Sequence, residues 1–120
     1  MIRKKIIRVP IYQAKVTVLL VDSLKEIEDR YQLKDTECVA AMVFRRKYNY
    51  FVAFERLDPG IIAHEVTHLV NHIFYDRGVE LDLVNDEPQA YLTGWLYGNI
   101  YDIIYKKFNY GQTKISNRMF

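Results

Sequence analysis

The sequence predicts a single α+β domain. The 120 residues suffice for one hydrophobic core, and half of them are hydrophobic. Strand-like and helix-like segments alternate without a repeat, a low-complexity tract or a linker. We therefore expect one domain over 1–120, with a polar tail, 108–120, that is loosely ordered.

Three segments predict strands. The first, IYQAKVTVLLVD at 11–22, is rich in β-branched residues and ends in an apolar run. A short amphipathic helix is expected next, because Ser23 and Glu26 have the spacing of a capping box. The stretches ECVAAMVFRR and YNYFVAFERL then predict two strands joined as a hairpin through 46–49. The expected sheet has three strands.

Two longer helices complete the predicted fold. One is expected over 59–77, since Asp-Pro favours a helix start and Gly78 is typical of a helix end. The other begins at Asn85 or Asp86 and reaches about Lys107.

Composition excludes several classes of function. A net charge of +2 is too small to indicate nucleic-acid binding, and the basic N-terminal residues are interpreted as a solvated flank. Cys38 is the only cysteine, so the chain has neither an intrachain disulfide nor a cysteine-based zinc site. No secretory signal and no apolar run of membrane-spanning length is present. We expect an intracellular protein without membrane contact.

The stretch AHEVTHLVNH, 63–72, contains the pattern H-E-x-x-H. On a helix, His64 and His68 lie about 40° apart around the axis and about 6 Å apart along it, so both imidazoles can face one metal ion. Glu65 lies beside them as a general base for a metal-bound water. The alternative is a chance pattern on a core helix. The apolar flanks predict a buried helix, where two unliganded histidines would be costly, and this favours metal binding.

A further ligand is needed to complete a metal site. His72 lies eight residues, or about 12 Å, beyond His64, too far to share one ion, and is interpreted as a supporting or surface histidine. Glu87 is the better candidate, because Pro88 places it in the first helical turn. With Glu87, Tyr91, Gly94 and Gly98 form one face that we expect to approach the motif helix. Two other residues remain alternative ligands: Asp82 and Asp86.

H-E-x-x-H followed by a glutamate early on the next helix resembles the gluzincin metallopeptidases, and IIAHEVTHLV is similar to prophage peptidases that cleave repressors. The resemblance implies a compact zincin-like domain that binds one zinc through His64, His68 and Glu87, with Glu65 as catalytic base. It also implies the cytoplasm of a bacterium or a phage-infected cell. Many gluzincins carry an acidic residue where this chain has Tyr91.

The resemblance further implies that the strand before the motif helix lies at the edge of the cleft and pairs with an extended segment of a protein substrate. Here that strand is 48–56. Its side chains that would contact the substrate are Tyr48, Tyr50, Val52 and Phe54. Candidate donors to the oxyanion are Tyr91 and His72, with Tyr50 and Tyr110 as further phenols.

The sequence therefore supports two functions. The first is a zinc peptidase that attacks peptide bonds with a zinc-activated water. The alternative is a non-catalytic module, stabilised by zinc, that binds a partner through an exposed sheet edge. Three good ligands without a suitable cysteine favour an open, catalytic zinc position. The oligomeric state is not predicted.

Overall fold

A computed structural model describes residues 1–111 of the chain. It confirms the α+β class. The expected sheet of three strands is corrected, because the observed sheet has four, the additional one lying near the N-terminus. The elements are β1 (Arg3–Val9), β2 (Ala14–Leu20), α1 (Glu28–Tyr31), β3 (Ala41–Arg46), β4 (Asn49–Phe54), α2 (Pro59–Arg77) and α3 (Glu87–Asp102).

The strands lie in the order β1-β2-β4-β3. β1 and β3 are antiparallel to their neighbours, whereas β2 and β4 pair in parallel. The predicted hairpin is confirmed, with Arg46 opposite Asn49 and positive φ angles of 52° at Lys47 and 65° at Tyr48. Positive φ at both residues of a two-residue loop is the geometry of a type I′ turn. Since β4 has a neighbour on each side, the edges of the sheet are β1 and β3.

The sheet is covered on both faces. The main core lies between one face and the helices α2 and α3, and it contains Val16, Val18 and Leu20 of β2. A smaller cluster on the other face packs Leu19 and Val21 against the region of α1. Successive side chains of a strand point to opposite faces, so β2 contributes to both clusters.

The helix ends follow the predicted capping signals. Asp58 Oδ1 accepts a hydrogen bond of 2.9 Å from Ile61 N, and Gly78 ends α2 with a φ of 67°. The capping box is also confirmed, since Ser23 N donates to Glu26 Oε1 at 3.0 Å. It begins a 3₁₀ turn, Leu24–Ile27, that leads into α1.

The C-terminal part of the described chain is packed. After α3, one π-helical turn spans Ile103–Lys107, and Phe108 is buried in the main core. In the tail expected to be loosely ordered, Tyr110 is half-buried and Asn109 and Gly111 are exposed; because 112–120 lie outside the described residues, the expected loose order of the tail stays a prediction. None of the helices within 1–111 combines the length and the hydropathy that a membrane crossing requires.

Candidate metal centre

The two histidines of the motif face each other on the surface of α2. Their Nε2 atoms are 3.3 Å apart, and the ring centroids are 4.9 Å apart with the planes inclined at 76°. Both residues lie in the middle of a continuous helix, so the i, i+4 spacing alone brings the rings together.

This separation fits two ligands of one zinc ion. Two nitrogens, each about 2.0–2.1 Å from zinc at a tetrahedral angle, are separated by about 3.3–3.4 Å. The same contact is compatible with one neutral ring donating a hydrogen bond to the other. The separation of the two Nε2 atoms is therefore the one expected for two ligands of a single zinc ion.

Glu65 differs from the histidines in its surroundings. Its side chain is 8% exposed, whereas that of His64 is 69% exposed, and its Oε2 lies 3.8 Å from His64 Nε2. Burial raises the pKa of the Glu65 carboxyl, and the charges of the two histidines oppose that shift. A sheltered carboxylate beside the two imidazoles is suited to accept a proton from a water held there.

The histidines are more exposed than their apolar flanks predicted. The buried side of α2 consists of Ile62, Glu65, Val66, Leu69, Val70, Ile73 and Phe74, and both motif histidines lie outside it. The expectation that unliganded histidines would be buried at high cost is therefore wrong, and only Glu65 is buried. The evidence for a metal site is the geometry of the pair.

A polar network that sequence reasoning missed continues the row of histidines. His64, His68, His72 and Asp76 follow at intervals of four, so they form one inclined row along α2. The side chain of Asp76 is 4% exposed, accepts a hydrogen bond of 2.5 Å from Tyr50 Oη and pairs with Arg45. The spacing of four residues from His72 to Asp76 was the sequence feature that could have predicted that Asp76 belongs to this row.

This network places the histidine row on the β3 side of α2. Arg45 belongs to the edge strand β3, and its ion pair with Asp76 joins that strand to the last turns of α2. Half-buried His72 lies close enough for Arg45 to act on it: burial lowers the pKa of His72, and the Arg45 charge lowers it further. The nearby Asp76 carboxylate opposes this lowering of the His72 pKa.

Glu87 is not brought together with the histidines. Among residues 1–111, no three His, Cys, Asp or Glu side chains are grouped so that they could hold one ion. Glu87 instead lines an open groove of about 670 Å³ together with Tyr12, whose ring lies 5.5 Å from that of Phe74 near the end of α2. Its role as a ligand stays a prediction, as do those of Asp82 and Asp86.

The face of α3 that carries Glu87 points to solvent. Tyr91 is 78% exposed, and a Cβ added to Gly94 or Gly98 would meet no atom within 4 Å. The buried face consists of Leu92, Leu96 and Ile100. The prediction that the face with Gly94 and Gly98 packs closely against α2 is therefore wrong.

The prediction that the strand at 48–56 forms the edge that pairs with a substrate is also wrong. β4 is an interior strand, and Tyr50, Val52 and Phe54 are fully buried. Only Tyr48 of the four predicted contact residues is exposed, and its ring lies 5.8 Å from the guanidinium of Arg77.

The phenols considered as oxyanion donors have other positions. Tyr50 is bound to Asp76, Tyr110 Oη accepts a hydrogen bond of 3.4 Å from Leu57 N, and Tyr91 lines the groove beside Glu87. His72 keeps a place in the row next to His68.

Comparisons of this chain with protein-family models, with curated proteins and with solved structures found no match.

Proposed function

We propose that this protein is a zinc-dependent peptidase that hydrolyses peptide bonds in an extended segment of a protein substrate. The observation that supports this proposal best is the pair of Nε2 atoms, 3.3 Å apart, beside a buried carboxylate. Two imidazoles and a sheltered general base on one rigid helix are the chemical groups that an H-E-x-x-H hydrolase requires.

His64 and His68 hold the metal in this proposal, and Glu87 is retained as the proposed third ligand. When bound, zinc polarises the scissile carbonyl and increases the acidity of a water molecule. Glu65 accepts a proton from that water and donates it to the departing amine. Its burial shields the carboxylate from bulk water and makes proton acceptance easier near neutral pH.

The substrate is proposed to lie along the free edge of β3. This strand pairs only with β4 within the described sheet, so its other edge offers backbone donors and acceptors. The Arg45–Asp76 pair joins β3 to the helix that carries the histidine row. A segment added to this edge by β-augmentation would run beside the row.

Elemental analysis of the purified protein tests the metal site. About one zinc per chain is expected for the wild type, and His64→Ala and His68→Ala should lose it. His72→Ala is the matched control, since it removes a histidine of the same row that is not a proposed ligand. Loss of zinc in Glu87→Ala would support the third ligand, and full retention would assign that role to another residue. A wild type without zinc, even after zinc addition, contradicts the proposal.

Hydrolysis is tested with a pool of fluorescence-quenched peptides. Glu65→Gln should retain zinc and lower the rate by about 10²–10⁴-fold, because the amide cannot accept the proton. Equal rates for the two proteins would remove Glu65 from the mechanism. Zinc binding without hydrolysis of any peptide would favour the non-catalytic module instead.

A further inference from the structure

Four cations lie at the end of the sheet where β3 turns into β4, with Arg45 on the α2 face and Arg46 on the opposite face beside Phe44. Arg45, Arg46 and Lys47 are consecutive and exposed, and they form the end of β3 and the first half of its turn. Arg77, in the last turn of α2, lies at the same end, because its guanidinium is 5.8 Å from the ring of Tyr48. We call Arg45, Arg46, Lys47 and Arg77 the basic turn.

Most of these charges are not neutralised by the described chain. Arg45 is paired with Asp76. Arg46 donates to the carbonyl oxygens of Arg45 and Tyr31, and Arg77 donates to backbone carbonyls at 12 and 13. Within 1–111, no acidic side chain pairs with Arg46, Lys47 or Arg77.

Backbone contacts also restrict where these charges can move. The guanidinium of Arg46 lies 5.2 Å from the centroid of the Phe44 ring while it bonds to the two carbonyls. Arg77 is held by carbonyl bonds of 2.7 and 3.1 Å. A cation already fixed by neutral partners loses less side-chain entropy when it binds an anion.

We infer that the protein selects extended segments with acidic side chains at the end that lies beside the basic turn. The inference rests on the proposed pairing of a substrate with the β3 edge, since the basic turn continues that edge. One exposed ion pair changes affinity by up to about fivefold, and the fold-changes of two pairs multiply. Two acidic residues that each contribute about threefold should therefore give a preference of about tenfold over a neutral segment. The preference should weaken as salt concentration rises.

The experiment measures the binding of peptide pools to zinc-loaded Glu65→Gln protein, in which hydrolysis is blocked. The pools share a random centre and carry Glu-Glu, Gln-Gln or Lys-Lys at one end. The test variant adds Arg46→Gln and Lys47→Gln. The matched control adds Lys4→Gln and Arg8→Gln, which remove the same charge from β1, the opposite edge of the sheet.

The Glu-Glu pool should bind about tenfold more tightly than the Gln-Gln pool to the parent and to the β1 control, and the Lys-Lys pool should bind more weakly than both. The basic-turn variant should lose most of this preference, with Arg77 left as the remaining cation without an acidic partner in the described chain, while its circular dichroism spectrum stays that of the parent. Equal binding of all pools to the parent would overturn the inference. So would an equal loss in the β1 control, because net charge alone would then account for the preference.

Two further results distinguish acidic peptide selectivity from nucleic-acid binding and from the peptidase activity itself. A single-stranded oligonucleotide that binds the basic turn more tightly than the Glu-Glu pool would overturn the inference in favour of a nucleic-acid partner. If zinc and hydrolysis are present but the acidic preference is absent, only the inference fails. If the preference is present and hydrolysis of the pools by the wild type is absent, the acidic selectivity holds and the peptidase proposal fails.

Discussion

The buried hydrogen bond between Tyr50 and Asp76 should contribute measurably to the free energy of unfolding. Tyr50 is fully buried, Asp76 is 4% exposed at its side chain, and the two are joined by a hydrogen bond of 2.5 Å. A hydrogen bond to a charged group contributes about 1.5–3 kcal/mol, so Tyr50→Phe should lower the free energy of unfolding by that amount. Asp76→Ala should cost about 2–3 kcal/mol, because the buried phenol loses its acceptor.

The double variant provides the decisive measurement. Once Asp76 is absent, the hydroxyl of Tyr50 has nothing to bind, so adding Tyr50→Phe should cost little. The double variant should therefore be more stable than the sum of the single changes predicts, by about 1.5 kcal/mol. Urea unfolding followed by far-ultraviolet circular dichroism gives all three values. A coupling free energy below about 0.5 kcal/mol would refute the reasoning, since that is the range of independent sites.

The pH dependence of the same contact has a definite sign. Burial alone would raise the pKa of Asp76, but hydrogen bonds from Tyr50 and Arg45 together hold it below its usual value. Because the folded-state pKa is lowered, the contribution of Asp76 is complete above the unfolded pKa of about 3.9 and is lost as pH falls through the folded value. The stability difference between wild type and Asp76→Ala should therefore shrink at the acid end of a pH series. A difference that grows in acid would contradict this assignment.

The remaining predictions concern the backbone and the core. Gly78→Ala should destabilise by about 1 kcal/mol, because Gly78 has a φ of 67°, whereas Gly94→Ala, inside α3 and equally free of contacts, should stabilise by about 0.5–1 kcal/mol. Equal effects of the two in thermal melts would refute the role of φ. Leu69→Ala in the main core should cost about 2–5 kcal/mol, and Leu83→Ala, at a residue 91% exposed, should stay within about 0.5 kcal/mol. Similar urea midpoints for these two variants would contradict the described burial.

The motif helix was predictable to the residue, because strong local signals stand at both of its ends. Asp58 and Gly78 act within one turn of their own positions, so no knowledge of the tertiary fold is needed. β1 was missed because its charged residues are consecutive at Arg3–Lys5, so the strand shows no alternation of polar and apolar positions; only Val9 of its residues is buried. Charged residues on edge strands prevent pairing with other chains, and that function removes the pattern that identifies a strand.

The order of the strands could have been inferred from the same sequence. The run from Tyr50 to Phe54 is apolar at every position, which is typical of a strand buried on both faces, and β3 ends in two arginines, which is typical of an edge. The buried face of α3 could likewise have been inferred by comparing how apolar its two candidate faces are. Gly94 and Gly98 share a face at helical spacing, but Leu92, Leu96 and Ile100 form a more apolar one, and greater hydrophobic burial decides which face packs inward.

The network at Asp76 connects stability with the proposed chemistry. It fixes β3 against the helix that carries the histidine row, and polar contacts specify position more narrowly than apolar packing. Tyr50→Phe leaves His64 and His68 unchanged, so zinc content should equal that of the wild type. Hydrolysis should still fall by about tenfold, because Asp76 without the Tyr50 hydroxyl holds Arg45 of β3 less firmly, and a looser β3 places a substrate less accurately next to Glu65. If the variant lost zinc and activity together, the network would support the metal site itself, and its proposed role in placing the edge strand would be wrong.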